Sequence, residues 1–186
     1  MTDLNDFEKV QGVRETVFKK DILKLMDHVK KIGGPGLVEK MLKADNFEAF
    51  RGIYKSDHHN LAIELMNKAN EVGGLDLARE MLESDNFGAF RWACENDHGD
   101  FALKLMTCAK NIGGTSLACE MLRNDDFSVF KSLCEKGQRV TAQELETCAK
   151  ELGDKDLDEQ LGKLLLESFP RPTSPKPSPK SPKPGC

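Results

Sequence analysis

One triplet recurs at a fixed step along the chain. Asp45-Asn46-Phe47 returns as Asp85-Asn86-Phe87 and as Asp125-Asp126-Phe127, and one step back stands Asn5-Asp6-Phe7. Glycine pairs keep the same interval at Gly33-Gly34, Gly73-Gly74 and Gly113-Gly114, degenerating to Gly153-Asp154. Leu25-Met26, Leu65-Met66 and Leu105-Met106 do so too, with Leu145-Glu146 as the fourth. Aligned without a gap, residues 45–84 and 85–124 share 19 of 40 positions. A period of this size means that each unit is one supersecondary module stacked on the next. The units are read as 5–44, 45–84, 85–124 and 125–164.

Inside a unit the apolar spacing is helical. Phe87, Phe90 and Cys94 fall at i, i+3 and i+7. Asp85 stands before them where an N-cap belongs, and the repeated column Asp45, Asp85 and Asp125 is expected to cap the first helices. A second helix starts near Asp100 and carries Phe101, Ala102, Leu105, Met106 and Ala109 on one face, until Gly113-Gly114 stops it in the left-handed conformation. A short third helix then carries Leu117, Ala118, Met121 and Leu122. No strand-like alternation of comparable length occurs. The expected fold is all-α: an α-solenoid of four helical repeats over residues 1–169, in which stacking makes the core continuous.

Terminal units of such an array should be atypical, because one side of each meets water. The first has Val10, Lys19 and Lys20 where its neighbours place Phe50 or Phe90, His59 and Asn60. The fourth sets Glu146 where Met106 would pack, and Leu164, Leu165, Leu166 and Phe169 are expected to cap the open end.

The stretch from Ala89 to Met106 is similar to the helix-turn-helix core of ankyrin repeats. Ala93-Cys94, Asp97-His98 and Leu105-Met106 occupy the places of the small-residue pair, the turn and the apolar stripe, and Asp57-His58 and Leu65-Met66 repeat the last two. The wording resembles divergent ankyrin-like units of intracellular bacteria and large DNA viruses, which implies a protein-binding scaffold and, by analogy, a host-directed effector. The resemblance also implies that the turn histidine bonds backbone and holds its loop. The period departs from the ankyrin value of about 33, and Gly88-Ala89-Phe90-Arg91 replaces the TPLH-type start. A third helix stands in for the β-hairpin finger, so the armadillo and HEAT classes stay open.

No residue pattern points to an enzyme. His28, His58, His59 and His98 include no HExxH and no zinc spacing with the cysteines, so neither a metal nor a cofactor is expected. No CxxC occurs among Cys94, Cys108, Cys119, Cys134, Cys148 and Cys186, so buried packing is the expectation for Cys94 and Cys134. Gly33-Gly34-Pro35-Gly36 follows a helix and lacks a Lys-Ser/Thr, so it is no phosphate loop. The candidate partner surface is a basic column, Arg51, Arg91 and Lys131, interrupted at Gln11. Beside it stand Tyr54 and Trp92, the single Tyr and Trp, which break the repeat. Arg, Tyr and Trp dominate binding hot spots. The competing expectations are that the column pairs with Glu80 and Glu120, and that Trp92 fills a gap between helices.

Residues 170–186 read PRPTSPKPSPKSPKPGC, with seven prolines, four basic residues and no acid. Such a segment is expected to be an extended arm, reaching up to roughly 50 Å at about 3.1 Å per residue. Ser174, Ser178 and Ser181 each begin Ser-Pro-Lys, the pattern of a proline-directed kinase site. The run from Lys176 through Pro179 to Pro182 suits a polyproline-groove domain. The whole chain has a net charge of -4 and the body without the arm about -8. An acidic body argues against nucleic-acid binding by the folded part. The alternative function is an acidic helical body tethered through its basic arm to nucleic acid or an anionic membrane. The polar, acidic start and the absence of a long apolar run predict a cytoplasmic protein with reduced thiols.

Overall fold

The computed structural model describes the backbone of residues 4–169 and the side chains of residues 21–169. Among the described residues there are six helices and no strand: α1 (Leu4–Lys43), α2 (Glu48–Lys55), α3 (His59–Glu95), α4 (Gly99–Glu135), α5 (Arg139–Leu152) and α6 (Lys155–Ser168). The expectations for Gln11 and for the Pro-rich arm with Ser174, Ser178, Ser181 and Cys186 lie outside the described side chains.

The long helices are interrupted at the repeated glycines. Gly34, Gly74 and Gly114 have φ of 70, 72 and 68° with ψ of -173, -169 and -163°. This is not the left-handed helix-closing conformation expected but an extended one at positive φ that is essentially reserved for glycine. The glycine before each is needed for space: a Cβ on Gly113 would fall 2.5 Å from the Cβ of Leu117. In the last unit Asp154 replaces the second glycine and takes an extended conformation as N-cap of α6. Helix closure therefore moves one residue back, to Gly153 at φ 76° and ψ 11°.

The aspartate column does not cap helices as expected. Asp85, Asn86 and Phe87 are three successive left-handed residues, as are Asp125, Asp126 and Phe127, and positive φ recurs at Asp45, Asn46 and Phe47. Asp and Asn tolerate that region better than other side chains, which accounts for their place in the triplet. The N-cap position of α2 is Phe47, with no side-chain cap hydrogen bond.

A tight turn follows each short helix at Ser56–His58, Asn96–His98 and Lys136–Gln138. The first unit lacks one, because α1 runs unbroken through residues 16–18. Where later turns place Asp57, Asp97 and Gly137 at positive φ, the first unit has Val17, a β-branched residue for which that conformation is costly. The expected helix-turn-helix thus forms in three units and not in the first.

The apolar stripes read from the spacing are buried. Leu61, Ala62, Leu65, Met66 and Ala69 of α3 and Phe101, Ala102, Leu105, Met106 and Ala109 of α4 belong to one core, with Phe50, Phe90 and Phe130 from the short helices. Burying each large side chain stabilises the fold by about 1.5–3 kcal/mol. Among the described residues, packing is between helices adjacent or next-adjacent in the chain: α1 and α2 on α3, α3 on α4, α4 on α5 and α6. Among the capping residues Leu164, Leu165 and Phe169 lie against the core, whereas Leu166 is exposed. No described helix is long and apolar enough to cross a membrane.

Candidate functional site

Residues about one period apart meet across the junctions between units. Asn124 Nδ2 donates to the Asn86 carbonyl at 3.0 Å, and Lys136 Nζ to the Glu95 carbonyl at 2.7 Å. At the junction of the second and third units the same offset brings the turn residue Asp57 to His98. Asp57 Oδ1 lies 3.2 Å from His98 Nε2 and 3.9 Å from His59 Nε2. One ligand-type atom from each of the three residues lies within 4.8 Å of the other two. Asp57 is in the left-handed conformation, φ 61°, which turns its side chain out of the helix line and leaves it 65% exposed.

Around this cluster the aromatic side chains form a continuous series. Phe50 meets Tyr54 edge-on at 5.4 Å, and Tyr54 lies 5.6 Å from Trp92. Trp92 stacks on His98 at 4.8 Å and 16°. His98 meets His59 at 4.4 Å, and His59 stacks on Phe101 at 4.4 Å and 12°. Both imidazole planes are therefore set by an aromatic face. Beside them an opening of about 420 Å³ is lined by His59, Asp97, His98, Phe101, Val140 and Glu144 among others.

Tyr54 is 1% exposed, so it forms part of the core and not of the surface expected for a partner. Burial also pushes its phenol pKa up. Trp92 is half-buried and fills the space between units, where Gly52 and Ser132 stand at the equivalent positions.

The basic column is bound by its own chain. Arg51 donates to the carbonyls of Asn46 at 2.9 Å and Asp45 at 3.1 Å, and pairs with Glu48 at 2.5 Å. Arg91 donates to the Asp85 carbonyl at 3.1 Å, and Lys131 to the Asp126 carboxylate at 2.6 Å. The column thus fastens the left-handed turns. Glu80 and Glu120 instead meet Lys43 at 2.7 Å and Arg79 at 3.6 Å, so the pairing expected for them does not form.

Cys94 and Cys134 are buried, and desolvation pushes the Cys94 thiol up to about 12. The turn histidine His98 has its side chain on Asp57 of the preceding turn, while its own amide holds the loop by donating to the Ala93 carbonyl at 2.9 Å. The cluster was missed in the sequence because His58 and His98 are the equivalent pair. His59, whose counterparts are Gly99 and Arg139, is the residue out of step with the repeat, and it stands two residues from Asp57 and 39 from His98.

A larger groove of about 700 Å³ opens between the third and fourth units. Phe87 and Leu152 line it together with Ser116, Glu120, Arg123 and Asp154. Arg123 is held there by Asp154 at 2.9 Å and Asp156 at 3.3 Å. No protein-family profile, curated protein or solved structure matches this chain.

Proposed function

We propose that the chain is a non-enzymatic helical-repeat scaffold, an α-solenoid of ankyrin-like units that binds a protein partner. The observation that carries this reading is that, among the described residues, each helix packs on helices adjacent or next-adjacent along the chain. An array of that kind keeps long lateral surfaces open while its ends close the core. The basic column is occupied by intramolecular bonds, so the groove between the third and fourth units is the better recognition surface. Its apolar side chains, exposed Ser116 and fixed Arg123 suit an extended peptide segment.

Affinity capture from a eukaryotic lysate tests the assignment, with residues 1–186, residues 1–169 and full-length Ser116→Arg as parallel baits. A partner held by the first two and lost from Ser116→Arg supports the groove. A partner lost only with residues 170–186 makes the arm the recognised element. Retention by all three baits places recognition on another face.

A further inference from the structure

The geometry points to a binding site for one divalent transition-metal ion of zinc-like ligand preference, held by Asp57, His59 and His98 at the junction of the second and third units. Two imidazole nitrogens and a carboxylate oxygen are a common donor set for such ions. Donors about 2.0–2.1 Å from one tetrahedral ion lie about 3.3 Å apart. The Asp57–His98 edge, at 3.2 Å, already has that length, and the Asp57–His59 edge, at 3.9 Å, closes with a shift of about half an ångström. The exposed Asp57 carboxylate can make that shift, while the third edge, whose imidazole nitrogens lie within 4.8 Å of each other, closes by a turn of the rings against Trp92 and Phe101 of up to about 1.5 Å. All three side chains are thus gathered at one junction before an ion arrives, which lowers the ordering cost of capture. The open side toward solvent leaves room for water to complete the coordination.

The repeat sharpens the assignment, because the scaffold does not require this set. At the next junction the equivalent residues are Asp97, Gly99 and Gln138. There a Cβ on Gly99 would fall 2.6 Å from Thr141 Oγ1, so a side chain where His59 stands would require Thr141 to move. A phenylalanine at position 59 would keep the stack on Phe101 without offering a ligand atom.

The test uses the full chain, reduced and metal-free, titrated with Co²⁺ and then Zn²⁺. One equivalent of Co²⁺ is expected to give the ligand-field absorption of a nitrogen and oxygen site without a thiolate charge-transfer band. Zn²⁺ should displace it, and emission from Trp92, the single tryptophan, should change with the same stoichiometry. His59→Phe, which keeps the stack, and Asp57→Asn, at an exposed position, should each weaken Co²⁺ binding at least about 100-fold, beyond what loss of an outer-shell partner causes. His58→Gln should bind as the parent does. Failure to take up one equivalent, a thiolate band, or unchanged affinity in folded His59→Phe or Asp57→Asn would each overturn the site. None of these outcomes bears on the groove, whose test is separate.

Discussion

Asp154 serves two helices at once: its Oδ1 accepts from the Leu157 amide at 3.0 Å as N-cap of α6 and from Arg123 of α4 at 2.9 Å. These two donors, the amide first, hold its carboxyl below the ordinary carboxylate range. The last unit is thereby tied to the third by the residue that replaces the second glycine of its pair.

Asp154→Asn is accordingly expected to lower the denaturant midpoint near neutral pH. A carboxylate with a depressed folded-state pKa contributes stability above its unfolded pKa of about 3.9 and loses that contribution as pH falls through the folded value. The gap between Asp154→Asn and the parent should therefore narrow in acid. Urea unfolding at neutral pH and below about pH 4 checks this, and a gap independent of pH would contradict it.

Gly74 and Gly52 form a matched pair, since an added Cβ meets nothing within 4 Å at either. Gly74 has φ 72° and ψ -169°, whereas Gly52 lies inside α2. Gly74→Ala should cost about 1–3 kcal/mol through backbone strain alone. Gly52→Ala should stabilise by about 0.5–1 kcal/mol, because alanine loses less entropy in a helix. Equal effects of the two substitutions in chemical denaturation would refute the conformational argument.

Tyr54→Ala should destabilise by about 3–5 kcal/mol, the range for removing a buried aromatic ring. An exposed hot-spot tyrosine would cost well under about 1 kcal/mol when truncated. The unfolding midpoint alone separates these outcomes.

Thiol labelling should follow burial. The thiolate is the reacting species, and Cys94 is both buried and pushed up to about 12. Native-state alkylation near neutral pH, followed by peptide mass spectrometry, should modify Cys94 only as fast as the protein opens. Half-buried Cys108 and Cys148, also raised by burial, should react sooner. Labelling of Cys94 ahead of both would show that the junction breathes locally.

Much of the fold is readable one unit at a time. The stripe from Phe101 to Ala109 needs only a 3.6-residue period, and the buried positions follow it. The glycine pair was legible as a break, but its kind was not: the second glycine's ψ depends on how the next helix returns to the core. The aspartate column is ambiguous in the sequence for a related reason. A short polar residue before a helix suits an N-cap and a left-handed turn equally well, and only the path of the chain between units selects the turn.

The candidate sites were less legible. Tyr54 and Trp92 stand out in the sequence because they break the repeat, yet the side of the junction they face depends on the neighbouring unit. That unit turns Tyr54 inward and sets Trp92 against His98. Local spacing and the 40-residue period suffice for helical units, their glycine breaks and their apolar faces, because these depend on residues a few positions apart. The meeting of Asp57, His59 and His98, and the capture of Arg51, Arg91 and Lys131 by left-handed turns, arise only when the chain folds back on itself. Side-chain direction at a turn is set by the packing of one unit on the next.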